Sequence, residues 1–115
     1  MHTFYSDIAA EAMLPQRGIH SQTLSDEAGV ELVLFAMAAG ERLAEHTAAR
    51  PAIIHFLAGN GTLNVDEDRY ELGPGSWLRM AARTPHAIIA ESSLVFALYL
   101  LGAPQPQPRP ASADS

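Results

Sequence analysis

The sequence predicts an all-β domain: two packed antiparallel sheets closed into a barrel, with a short N-terminal arm and a disordered C-terminal tail. Three observations point to it. Short runs rich in branched and aromatic residues recur along the chain, Gly, Pro, Asn and Asp clusters separate them, and the apolar residues show almost no 3.6-residue period.

Taken in order, Ser6 and Asp7 are suited to cap a short helix through Ile8, Ala12 and Met13 that Pro15 ends, or the same apolar residues lie as an arm over the barrel or a neighbour. Residues 1–17 form this arm. The barrel, residues 18–102, begins with a strand at 19–24 and a turn at 26–29. Residues 30–37 read as a buried strand that Gly40 breaks. A strand at 52–57 is closed by Gly59, Asn60 and Gly61. Strands at 62–65 and 69–72 flank the turn Asp66, Glu67 and Asp68. Gly73, Pro74 and Gly75 interrupt the chain before strands at 76–80, 86–90 and 94–101. Residues 103–115 alternate proline with polar residues and read as a disordered tail.

The 115 residues suffice for one core, and 48% hydrophobic content is ordinary for a globular chain. There is no cysteine, which excludes disulfides, thiolate metal sites and cysteine nucleophiles. The formal charge is −6, and the 7 basic residues, all arginine, are scattered. Binding to nucleic acid or to an anionic membrane needs a clustered positive surface, so neither partner is expected. The longest apolar run, 94–101, is too short to cross a bilayer, and no signal-peptide pattern opens the chain. A cytoplasmic protein is expected.

Two blocks carry a resemblance to a known family. In the first, Gly40 is followed after five residues by His46, then Ala48, Ala52 and Gly59. In the second, Gly73 and Gly75 precede Ala81, Ala82, Arg83 and His86. This pattern resembles the two motifs of the cupin superfamily, over roughly residues 19–101. The resemblance implies a double-stranded β-helix, or jelly-roll barrel. In metal-binding cupins the motifs supply three histidines and one glutamate to one divalent ion. Carried over, His46 and His86 keep the first and last histidine. Ala48 stands at the second histidine position, Ala52 at the glutamate position, and Ala81, Ala82 and Arg83 replace a Pro-x-Gly turn.

His46 and His86 are therefore the metal candidates. A transition metal takes about four to six donors, so water, substrate or another side chain has to complete the set. His55 is an outside candidate: if Ala52, Ile54, Phe56 and Ala58 face inward, then Ile53, His55 and Leu57 face outward, unless a bulge near Arg50 and Pro51 shifts the phase. Phe56, Trp77 and Met80 are candidates to line a ligand pocket. Two functions stay open. One is a metal-dependent protein of the oxygenase or isomerase kind, with Zn, Fe, Mn, Ni or Cu not distinguished. The other is a metal-free module that binds a small molecule without catalysis. Residues 30–35 and 94–101 are apolar on both faces, which predicts a homodimer.

Overall fold

The structure, a computed structural model, describes residues 1–103. A single-turn 3-10 helix, Ile8–Glu11, precedes nine strands: β1 Ile19–Glu27, β2 Val30–Met37, β3 Arg42–His46, β4 Ala52–Ala58, β5 Gly61–Val65, β6 Asp68–Leu72, β7 Trp77–Met80, β8 His86–Ala90 and β9 Leu94–Leu101. The Asp7 side chain caps the helix by accepting from the Ala9 N–H at 3.2 Å. The expected disordered tail falls, apart from Ala103, outside the described residues. Among the described residues no helix is long and apolar enough to cross a membrane.

The strands form a five-stranded sheet, β1-β2-β9-β4-β7, and a four-stranded sheet, β3-β8-β5-β6. All pairings are antiparallel. After β2 the chain passes back and forth between the sheets, with only the β5–β6 hairpin staying in one. The resulting jelly roll turns the inner faces of the sheets toward each other. Met37, Ile54, Phe56, Leu94 and Phe96 from one sheet meet Leu63, Val65 and Ile88 from the other in one core cluster. Phe35 stacks on Phe96 with ring centroids 4.9 Å apart, and Phe56 leans on the same ring at 5.2 Å. Burial of each such side chain contributes about 1.5–3 kcal/mol.

The outer face of the larger sheet is apolar too, and the chain covers part of it with its own N-terminal arm. Leu34, Ala36 and Val95 alternate with inward residues and pack with Ala12 of the arm, Leu24, Leu57 and Ala58. Tyr5 donates its hydroxyl hydrogen bond to the Leu24 carbonyl at 3.1 Å, and the Gln22 amide donates to the Glu11 carbonyl at 2.6 Å. The arm thus lies on the barrel, and the capped helix within it is one turn that ends at Glu11 rather than running through Ala12 and Met13.

Three details differ from the sequence reading. Strand β3 is invisible to propensity, because Arg42, Leu43, Ala44, Glu45 and His46 include no branched or aromatic residue of the strand-forming kind. Strand β1 runs on to Glu27, because the turn is only Ala28 and Gly29, both left-handed at φ 55° and 77°, as a two-residue hairpin loop demands. Ala58 faces outward rather than inward, because a register shift between Phe56 and Ala58 in β4 reverses the alternation there. Two glycines hold the barrel tight at this end. Side chains at Gly59, which is left-handed at φ +87°, and at Gly61 would run into the carbonyl oxygens of Ser93 and Ile89.

Candidate functional site

Strands β3 and β8 pair in the smaller sheet, and their register positions the two histidines. Arg42 lies opposite Ile89, Leu43 opposite Ile88, and His46 opposite His86, with a register shift between Leu43 and His46. Two residues of β8 are thus spanned by three of β3. In an unbulged strand Glu45 would lie opposite His86 and His46 would turn out. The extra residue instead brings His46 to the inward-facing row of His86, Ile88 and Ala90. Glu45 lies with Arg42, Ala44, Asn64, Ala87 and Ile89 around a shallow depression on the outer face.

The ring centroids of His46 and His86 are 4.2 Å apart, with planes tilted by 55°. Each Nδ1 lies 2.9 Å from the carbonyl oxygen two residues earlier, Ala44 for His46 and Thr84 for His86. A carbonyl only accepts, so both Nδ1 atoms carry the proton. In the neutral form each ring is thereby held as the tautomer with its lone pair on Nε2. That is how a metal-ligating histidine is held, with its second nitrogen anchored to an acceptor. His86 is buried at 5% exposure, while His46 is exposed. Burial pushes the His86 pKa below its ordinary 6.5; the proximity of His46 adds to the fall, and the hydrogen bond to Thr84 opposes it. His86 therefore stays neutral into mild acid.

The other expected positions supply no donor. Ala48 lies beyond the end of β3, and its carbonyl accepts from the Arg83 N–H at 2.7 Å, tying together the loops that carry the two histidines. Ala52 opens β4 at 1% exposure, opposite Met80 on one side and Leu100 on the other. Arg83 occupies the position where the family has glycine, and its backbone is left-handed at φ 66°. Glu31 is engaged by Arg50, whose Nη1 lies 2.9 Å from Oε1, and by the Thr23 hydroxyl at 3.3 Å. Among the described residues no three His, Asp or Glu side chains form a metal-holding cluster.

His55 lies on the outer face of the larger sheet, opposite Ala97 and Trp77. The bulge in β4 comes after it, not near Arg50, so it does not turn inward. The three pocket residues are divided. Phe56 and Trp77 line an open groove of about 340 Å³ between the edge strands β6 and β7, together with Leu63, Tyr70, Glu71, Leu72, Ser76 and Leu78. Tyr70 and Trp77 stand exposed at 49% and 59%, and Phe56 is fully buried. Met80 is not among the lining residues; it points inward at the other end of β7, 4% exposed. Sequence reasoning missed Leu63 as a groove residue, because only the pairing of β5 with β6 brings it beside Tyr70.

Residues 33–101 match the model of the cupin domain, and the chain belongs to that family. A search of curated proteins finds no match. Among solved structures, a conserved protein of unknown function from Streptococcus pyogenes is similar at 23% identity and a TM-score of 0.76, over 94% of this chain and 92% of that one. A cupin superfamily protein from Desulfitobacterium hafniense matches at 22% identity and 0.76, over 84% and 88%. Salicylate 1,2-dioxygenase from Pseudoaminobacter salicylatoxidans, in a structure with gentisate, matches at 12% identity and 0.68, over 72% of this chain and 25% of that one. These likenesses establish the jelly-roll fold.

The lowered pKa of His86 makes stability depend on pH with a definite sign. Above about pH 6.5 the ring is neutral in both folded and unfolded chains, and its contribution is fully present. As pH falls below that value the unfolded chain takes a proton that folded His86 resists, so stability declines until the lowered folded value is passed. Thermal midpoints of the wild type should be level above about pH 7 and fall below about pH 6.5 more steeply than those of His86→Gln. Parallel profiles for the two proteins would contradict the burial of a neutral imidazole.

Proposed function

We propose that this cupin binds one transition-metal ion through the Nε2 atoms of His46 and His86, beside a small organic molecule. The observation that carries the reading is the pair of facing imidazoles, each with Nδ1 committed to a backbone carbonyl. A histidine that merely fills space has no need of a fixed tautomer, and two such rings side by side are a ligand arrangement. The residues suit a metal that accepts two neutral nitrogen donors, and His46 keeps one side open to solvent. Bound there, the ion would supply Lewis acidity, with coordination positions left for water or substrate. An oxygenase or isomerase reaction is the chemistry that such an open site serves, and the dioxygenase that shares the fold is compatible with it. The absence of a lysine or arginine cluster supports a small-molecule rather than a nucleic-acid partner, and we place the protein in the cytoplasm.

The groove between β6 and β7 favours a second reading. Its volume of about 340 Å³, its aromatic rims Tyr70 and Trp77, and its apolar floor suit a small ligand without any metal. Metal titration distinguishes the two. Either His46→Ala or His86→Ala should abolish binding, and His55→Ala should leave it unchanged. Wild-type affinity should weaken below about pH 6.5 as imidazole protonates. Equal affinity in the wild type and the His46→Ala, His86→Ala double variant would remove the metal site and leave the groove as the ligand site.

A homodimer is the assembly we propose, formed through the larger sheet and the arm. Although Ala12 of the arm packs on Leu34, Ala36 and Val95, the arm leaves Phe4, Met13 and Leu14 exposed at 78%, 62% and 57%. Large apolar side chains left in water are what a partner would cover. Light scattering at micromolar concentration should give twice the chain mass, and a Met13→Asp, Leu14→Asp variant should give the single-chain mass. A monomeric wild type would refute the dimer.

A further inference from the structure

We propose that the thioether of Met80 is the third protein ligand of this centre, and that the resulting two-histidine, one-methionine site selects copper in its cuprous state. The proposal rests on the reading of His46 and His86 as ligands and names what completes them.

Four placements carry it. Met80 is the last residue of β7 and His86 the first of β8, so they are the two ends of one turn that crosses between the sheets. The turn closes on itself: the Thr84 hydroxyl donates to the Ala81 carbonyl at 2.9 Å, and the Thr84 N–H reaches the same oxygen at 3.4 Å. Both end residues point inward, Met80 at 4% and His86 at 5% exposure. Finally, Met80 lies opposite Ala52, the residue at the position where metal-binding cupins carry a glutamate. A methyl group there leaves the long, flexible side chain of Met80 as the adaptable group beside the vacated position.

Three competing donors lie elsewhere. Glu31 is held by Arg50 and Thr23, Glu45 lies at the outer face, and His55 is outside the barrel. The set that the proposal joins is two imidazoles and a thioether. Hard ions such as Mg and Mn favour carboxylate and water oxygen, whereas a thioether with imidazole suits the soft cuprous ion. The deletion of the glutamate and the second histidine then becomes a change of metal preference rather than a simple loss of affinity.

A second methionine provides the control. Met37 is as buried as Met80 and belongs to the same core cluster, but it pairs with Leu94, whereas Ala52, the neighbour of Met80, pairs with Leu100. Six residues of β9 separate those positions, about 20 Å.

The test is anaerobic titration with Cu(I) against a chromophoric cuprous chelator, and separately with Zn(II) against a zinc chelator. It uses the full chain, Met80→Leu, Met37→Leu and the His46→Ala, His86→Ala double variant, with X-ray absorption at the copper edge. Leucine keeps the volume and removes the sulfur. Met80→Leu should weaken Cu(I) binding about tenfold or more, shift Zn(II) affinity less than twofold, and lose the sulfur scatterer seen in the wild type. Met37→Leu should match the wild type for both ions. Unchanged Cu(I) affinity in Met80→Leu, no sulfur scatterer in the wild type, or binding of Zn(II) without Cu(I) would each overturn the Met80 assignment and leave the two-histidine reading standing. Equal losses for both ions would overturn it too, since a packing defect produces them. Retention of both ions by the double histidine variant, or binding of neither by the wild type, would instead overturn the metal reading itself.

Discussion

The bulge in β3 is the constraint on which the candidate site depends. Leu43 is fixed against Ile88 by the core, so the alternation of a regular strand would put Glu45, not His46, across from His86. One additional residue reverses that outcome. It places an imidazole beside an imidazole and sends the carboxylate to the outer face. A carboxylate opposite His86 would have favoured a charged imidazolium; an imidazole opposite it, together with burial, favours a neutral His86. The chemistry of the site is thus set by backbone register before any side-chain contact is considered.

The rest of the barrel serves that register. Phe35, Phe56 and Phe96 pack together on the larger sheet, and the core cluster joins them to Leu63, Val65 and Ile88 of the smaller one. The contact between Arg83 and the Ala48 carbonyl joins the loop after β3 to the turn before β8, so the two histidines share one anchored end. Arg83 accepts a left-handed backbone that glycine would adopt at less strain, a residual of about 1 kcal/mol. The bond from the Arg83 N–H to the Ala48 carbonyl is one tertiary contact that holds this backbone. His86 sits behind this turn out of water, and His46 sits at its open side, which gives the pair one rigid and one accessible member.

Much of the fold was legible in the sequence because its strands are rich in Val, Ile, Leu and Phe and its turns in Gly, Pro and Asp. Residues 30–37, 86–90 and 94–101 show this plainly: composition alone marks both ends of each strand. Strand β3 was not legible, since Arg42 to His46 carry no strand preference and the strand exists only through its partner β8. The same gap hid the bulge, and with it the reason that His46 faces inward while Ala48 is past the strand end. The outward phase of His55 could be read from alternation, but the reversal at Ala58 could not. The apolar outer faces of β2 and β9 show in the sequence, but not that the arm of the same chain lays Ala12 on part of that surface. A hydrophobic face in a sequence states that something covers it and does not state what. The groove at Tyr70 and Trp77 was only half visible for a related reason, because it forms between two strand edges from different sheets.

The central claim is that the imidazoles of His46 and His86 lie together, each with its protonated Nδ1 on a backbone carbonyl, which leaves Nε2 to bind. Long-range proton–nitrogen correlation spectra of the metal-free protein at about pH 7.5, above the ordinary imidazole value, test it most directly. The account predicts the Nδ1–H tautomer for both His46 and His86, with proton contacts between the two rings. An Nε2–H tautomer at either residue, or no contact between the rings, would contradict it.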